Sequence, residues 1–164
     1  MNGYILEVKD LKVHFPVKGE LIPKNVGYVK AVDGISFNIG YAETLGLVGE
    51  SGCGKSTTGR AVLNVVKVNS GQVIFEGKDI LRSSRKELKK IRKDMQLIFQ
   101  DPFGSLNPRM TIGSALEEVL YVHHLGDKSQ RQKKVNELID MVGLSKNYLS
   151  RYPHEFSGGQ RQRA

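Results

Sequence analysis

A chain of 164 residues with 39% hydrophobic and 26% charged composition is long enough to bury one core, and it contains no run near the roughly 18–20 consecutive apolar residues that a membrane-spanning helix requires. The opening MNGYILEVKDLKV mixes acidic residues with alternating apolar ones, unlike the charged start and apolar block of a secretory signal, so a cytoplasmic location is expected. The excess of 25 Lys+Arg over 17 Asp+Glu, a net +8, gathers largely in SSRKELKKIRK (83–93) and KSQRQKK (128–134); both have helical character and read as solvated helix faces, so no nucleic-acid partner is expected.

From Tyr4 to Phe15 and from Tyr28 to Ile39 the apolar residues tend to alternate, as in Ile35, Phe37 and Ile39, which predicts antiparallel strands with one covered face. Between them PVKGELIPKNVG (16–27), with two prolines and two glycines, predicts a loop. TLGLV (44–48) predicts a buried strand and TTGRAVLNVV (57–66) a helix. In SGQVIFEGKD (70–79) Val73 and Phe75 share a face and Glu76-Gly77 marks a turn. Ser84, followed three places later by Glu87, is a capping box that opens the basic helix, with Leu88 and Ile91 as its apolar contacts. MQLIF (95–99) reads as an apolar strand ending at Gln100 in a polar loop. Beyond Pro108, Ile112, Ala115, Leu116, Val119 and Leu120 mark one helix face, and Val135, Leu138, Ile139 and Val142 mark another that Gly143 closes. The pattern divides into a nucleotide-binding α/β part over 1–100 and a helical part over 101–164.

Between the TLGLV run and the helix after it lies GESGCGKST, Gly49 to Thr57, which fills every fixed position of the phosphate-binding loop G-x-x-x-x-G-K-[ST]. The chemistry asks for those residue types. Gly49, Gly52 and Gly54 let the backbone curl its N–H groups around a β-phosphate, and Lys55 places a point charge between the β- and γ-phosphates. Ser56 offers a hydroxyl to Mg²⁺, and the helix begins with its positive dipole end toward the same anion. The expected ligands are therefore ATP or another nucleoside triphosphate, with Mg²⁺. Cys53, the single cysteine, lies inside the loop, which excludes an intramolecular disulfide; it reads as a small loop residue, with a redox-sensitive thiol as the alternative. His14, His123, His124 and His154 show no metal-ligand spacing.

The second motif is FSGGQ, Phe156 to Gln160. With the phosphate loop upstream, the chain resembles the ATP-binding subunit of an ABC transporter, whose signature is LSGGQ. Phe156 replaces the first leucine, one apolar anchor for another. QDPFGSLNPR (100–109), HFPVKG near the start and YPHEFSGGQRQR at the end resemble the ATPases of oligopeptide, dipeptide and nickel importers in particular.

That resemblance implies an α/β fold: a P-loop NTPase (RecA-like) core with an antiparallel β subdomain and an α-helical subdomain. It implies that Lys55 and the backbone of Ser51 to Thr57, Gly52, Cys53 and Gly54 included, hold the phosphates, that Ser56 binds Mg²⁺, and that Gln100 is the Q-loop residue linking metal and water to the membrane-domain interface. Lys55 and Gln100 are the candidate catalytic residues. Ser157, Gly158, Gly159 and Gln160 would face the ATP of a second ATP-binding subunit in a head-to-tail dimer, homo- or heteromeric. Adenine would stack on Phe15, with Tyr28 in reserve. The implied partners are integral membrane permease subunits and, indirectly, an extracytoplasmic peptide-binding protein, with the chain peripheral on the inner face of the membrane.

Family members continue past the signature into an apolar strand ending in Asp-Glu, the Walker B pair, and a switch histidine. Neither motif is found in these 164 residues, so they are expected to form an N-terminal portion with an incomplete central sheet and negligible hydrolysis of its own. In the family's sheet order two later strands separate TLGLV from MQLIF, and both runs should lack partners here. The leading function is the ATP-driven engine of a peptide-type importer. A non-catalytic nucleotide-binding fragment and, from charge alone, a nucleic-acid-associated ATPase are the alternatives.

Overall fold

The computed structural model describes residues 3–18, 25–99, 106–161 and 163. They form two compact units, Met1–Leu97 and Ile98–Ala164.

The first unit is organised by β1 (Tyr4–Lys18) and β2 (Asn25–Gly40), which pair antiparallel, while β3 (Ser70–Phe75) and β4 (Lys78–Asp79) extend the sheet in the order β2-β1-β3-β4. Strand alternation alone would put Leu6 and Val8 on the opposite face from Leu11 and Val13, since the two pairs differ in parity. The structure resolves this with a bulge: Val8 pairs Phe37 and Leu11 pairs Ile35, so two residues of β1 oppose one of β2. Asp10 absorbs the kink at φ 45°, and its amide donates to Ser36 Oγ at 2.9 Å. All four apolar residues thereby reach one core with Val32, Val73, Phe75 and Ile80. Gly71 makes the closest backbone approach in the sheet. At φ 112°, a Cβ there would lie 2.6 Å from the Asp10 carbonyl oxygen, so only glycine lets β3 follow β1 through the bulge.

Both expected strands extend into the predicted loop region: Val17 pairs with Gly27 and Lys18 with Asn25, and 19–24 lie outside the described residues. The turn at Glu76-Gly77 has φ 46° and 77°, the two positive values a tight hairpin needs.

Two helices cover the sheet unit. Helix α1 (Lys55–Val62) buries Thr58, Ala61 and Val62. It is shorter than the sequence predicts, because Asn64 turns left-handed at φ 52° and the chain closes with Asn64 N–H on the Ala61 carbonyl and Val65 N–H on the Arg60 carbonyl. Helix α2 (Arg85–Asp94) has the expected capping box: Ser84 Oγ accepts from Glu87 N–H, and Ser84 N–H donates to the Glu87 carboxylate at 2.8 Å. Ile91 is buried and Leu88 packs beside it.

The helical unit contains α3 (Ile112–Val122), α4 (Lys128–Met141) and α5 (Gly158–Arg161). Thr111 caps α3, Asp127 and Gln130 form a capping box on α4, and Gly143 ends α4 at φ 69° with Leu144 N–H bonded to the Ile139 carbonyl. Ile112, Ile139, Leu144 and Phe156 make its core. Val119 and Val142 were expected on the buried stripes and are instead exposed, so each stripe is narrower than periodicity suggests.

The two remaining apolar runs correct the sequence reading. Residues 44–48 and 95–99 are not strands; Val48 is 90% and Ile98 94% exposed. A strand persists where neighbours take its backbone hydrogen bonds and cover its face, and no described strand flanks either run. The exposure of Val48 and Ile98 agrees with uncovered faces in both runs, while Met95 packs against the core.

Hydrogen exchange should therefore protect Val8, Leu11 and Val13 strongly and leave Leu45 to Val48 and Gln96 to Phe99 fast. Equal, cooperative protection of all three segments would contradict the description. A second expectation concerns pH. The Ser84 hydroxyl and then the Ser84 amide hold the Glu87 carboxyl below the usual glutamate range. With its pKa lowered on folding, Glu87 stabilises the fold above its unfolded-state pKa, and this is lost as pH falls through the folded value. An NMR titration of Ser84→Ala should show the Glu87 pKa move upward toward that of a free side chain.

Candidate nucleotide-binding site

The phosphate-loop motif leads into α1 with Gly54 as the residue before its first turn, at φ 98°. A Cβ on Gly54 would run into the carbonyl oxygen of Ala31, and Val32 Cγ2 lies 3.8 Å away. The glycine is thus required twice, for its left-handed conformation and for its approach to β2. Thr58, buried one turn on, binds the Gly54 carbonyl through its amide at 2.8 Å and its hydroxyl at 3.0 Å, tying loop to helix.

Lys55 folds back over the loop. Its Nζ donates to the carbonyls of Gly49 and Glu50 at 2.7 Å each and lies 3.5 Å from Cys53 Sγ. The ammonium is thereby held at the loop without a carboxylate partner among the described residues, leaving its charge available to an anion. Ser51, Gly52, Cys53 and Ser56 are exposed, and Thr57 is half-buried. No acidic residue occupies the first turn of α1, so nothing on the helix opposes an anion at its positive end.

Beside the loop opens a cavity of about 270 Å³ whose walls include Ala31, Val32 and Asp33 of β2 and Cys53, Gly54 and Lys55 of the loop. Its charged rim was not legible in the sequence. His14 Nε2 lies 2.9 Å from Asp33 Oδ1, and Lys30 Nζ donates to Asp33 Oδ2 at 3.0 Å. The hydrogen bond from Lys30, then that from His14, holds the Asp33 carboxyl below its usual range. His14 and Asp33 are 19 positions apart, and only the register of β1 on β2 joins them.

Phe15 and Tyr28 separate by strand geometry. Phe15 follows Leu11 and Val13 at strand spacing and is paired with Val29, so it continues the face on which the core and α1 lie. Tyr28 pairs with Pro16 and takes the other face. Phe15 is 42% exposed, an aromatic surface open to solvent on that face.

In the helical unit, FSGGQ is anchored at both ends. Phe156 is 3% exposed in the core there, with its ring 5.1 Å from that of Tyr148. Gln160 bonds back through Oε1 to the Ser157 amide at 3.0 Å, while its Nε2 donates to the Tyr148 hydroxyl at 2.8 Å. Arg151 lies over the same Tyr148 ring at 4.6 Å. Ser157, Gly158 and Gly159 remain exposed, and a Cβ at either glycine would meet open space. Sequence reading missed Tyr148, which carries no motif of its own. Gln100 lies outside the described residues. The described residues contain no cluster of His, Cys, Asp or Glu able to hold a metal ion.

The family model of the ABC transporter matches residues 32–164, from the β2 wall of the cavity through the phosphate loop and FSGGQ. The chain belongs to the ABC transporter family. Membership implies ATP binding. Among curated relatives, the oligopeptide transport ATP-binding proteins AppF and OppF of Bacillus subtilis are 51% and 52% identical over 97% and 99% of this chain. The glutathione import ATP-binding protein GsiA of Pectobacterium atrosepticum is 47% identical over 97% of it. The chain spans about half the length of AppF and OppF, 49% and 52%, and 26% of GsiA. Its fold is that of the ABC cassette, mixed α/β with an antiparallel β portion and a helical part. The dimeric post-hydrolysis structure of the cassette MJ0796 bound to ADP and Pi matches with TM-score 0.79 and 27% identity over 96% of this chain and 66% of that one. The cbiO1 structure from Clostridium perfringens matches with TM-score 0.71 and 26% identity over 99% of this chain and 59% of that one.

Replacing Lys55 by Ala removes the charge aimed at the phosphates and should weaken ATP binding by about 10- to 100-fold, the worth of a charge-assisted hydrogen bond. Calorimetry on folded protein checks it; unchanged affinity would remove Lys55 from the site.

Proposed function

We propose that these residues are the nucleotide-binding portion of the ATPase subunit of a peptide-type ABC importer. The observation that carries this reading is the loop from Gly49 to Thr57, folded around Lys55 beside a cavity of about 270 Å³. In it the phosphates of ATP lie on the loop amides and Lys55, Ser56 and Gln100 hold Mg²⁺, and adenine stacks on Phe15. Thr57, Gly52 and Cys53 supply loop backbone, with Cys53 in no chemical role. The side of Phe15 shared with α1 supports its choice over Tyr28. Mg²⁺ held there by Ser56 and Gln100 would supply charge neutralisation to the phosphates.

Identity near 50% to AppF and OppF supports the importer assignment, and the solved cassette dimer supports a second ATP-binding subunit as partner. Ser157, Gly158, Gly159 and Gln160 then meet the nucleotide held by that subunit, each site being half of a composite. Permease subunits receive the ATPase at the inner face of the membrane, and a peptide-binding protein on the other side delivers cargo to them. No described helix is long and apolar enough to cross a membrane itself.

Hydrolysis needs a carboxylate pair to hold the metal and orient water, and 1–164 contain no apolar strand ending in Asp-Glu. A polypeptide of residues 1–164 should bind ATP without Mg²⁺-dependent turnover, while one extended through a Walker B segment and switch histidine should hydrolyse it. Turnover by the short polypeptide, surviving purification and lost in Lys55→Ala, would overturn this division of labour.

A further inference from the structure

The sequence contains two basic runs. On α4 and just after it Lys134 lies 3.3 Å from Glu137, Arg131 3.7 Å from Glu117 and Lys146 3.4 Å from Asp140, while Lys128 and Lys133 form no ion pair among the described residues. Helix α2 gathers its lysines on one face. Leu88 and Ile91 turn inward, so Lys86, Lys89, Lys90 and Lys93, at spacings of three, four and seven, line the side away from the core. All four are exposed, with Arg82 and Arg85 at the same end of the helix. Among the described residues Lys86, Lys89 and Lys90 form no ion pair. Of the acids on the helix, Glu87 is engaged by Ser84 and also feels the charge of Lys90, and Asp94 is exposed at the far end; Arg82 is paired with Asp79 at 3.5 Å.

This arrangement costs the helix stability in two ways. Like charges one turn apart repel, and Arg85 and Lys86 sit in the first turn, at the positive end of the helix dipole. Mixed charges would solvate the face equally well without that cost. An extended anionic surface relieves both repulsions at once. The lysine row spans about 10 Å at 1.5 Å per residue.

We propose that the exposed lysine face of α2 is a contact surface for anionic phospholipid headgroups. This rests on the reading of the chain as an ATPase subunit at the inner face of a membrane. The apolar side of α2 is committed to the core, so the contact is electrostatic and superficial, without insertion. Nucleic acid is the less suited polyanion, because the row carries no aromatic residue for base stacking and no Asn or Gln for reading base edges.

The test is co-sedimentation of the 164-residue chain with vesicles of phosphatidylcholine alone or mixed with phosphatidylglycerol. Binding should need the anionic lipid and weaken with salt. The triple variant K86Q/K89Q/K90Q should lower the partition coefficient roughly 100-fold, from about 5-fold per cation, and K86R/K89R/K90R should restore it. K128Q/K133Q/K134Q, which removes the same charge from α4, should change it by less than about 2-fold. Equal losses from the two Lys→Gln triples would reduce the effect to net charge, and unchanged binding by the α2 triple would end the proposal. Displacement by inorganic phosphate at matched ionic strength, or by single-stranded RNA in preference to vesicles, would overturn it in favour of those anions. ATP calorimetry on the same proteins keeps the two readings apart: lost lipid binding with intact ATP binding fails only this inference, and the reverse pattern fails only the nucleotide assignment.

Discussion

The loop from Gly49 to Thr57 keeps its shape only if something outside it pins it, and the pin is the close approach of Gly54 to the backbone of Ala31. Because no side chain intervenes, the start of α1 rests directly on β2, and the cavity wall and the loop become one surface. The sheet must first be in register for this to happen. The bulge at Asp10 sends Leu6, Val8, Leu11 and Val13 to a single core, and that core seats both Val32 and the buried face of α1. The bulge at Asp10 thus shapes the site through packing, where Lys55 acts through charge.

The helical unit shapes its FSGGQ loop by another route. Nothing there depends on a sheet. Caps at Thr111 and Asp127 and the left-handed closure at Gly143 set two helices, whose buried residues Ile112 and Ile139 receive Phe156. The signature loop follows from where that one aromatic side chain goes. Replacing the family's leucine by phenylalanine keeps the anchor and adds a ring contact with Tyr148.

Much of this was legible in the sequence, and the pattern of what was not is instructive. Local signals held: the capping box at Ser84 and Glu87, the turn at Glu76-Gly77, the alternation in β1 and β2, and the helix stop at Gly143 all depend on residues within a few positions of one another. TLGLV and MQLIF show the limit of such signals. An apolar run states a preference for burial, but a strand is a relation between chains of backbone, and the run alone cannot supply the other side. The His14, Lys30 and Asp33 cluster was hidden for a related reason, since strand register alone brings His14 to the local pair of Lys30 and Asp33. Tyr148 was invisible too, as an aromatic residue in a short turn with its partner Gln160 twelve positions away.

The double hold of Gln160 bears on recognition speed and selectivity. A glycine pair next to a serine would ordinarily sample many backbone states, and any ligand meeting it would have to select one and forfeit affinity in proportion. With its amide oxygen on Ser157 and its amide nitrogen on Tyr148, Gln160 narrows that ensemble before anything arrives. The ordering cost then falls on folding, so under the proposed composite site the loop would meet a nucleotide as a template whose shape is already chosen.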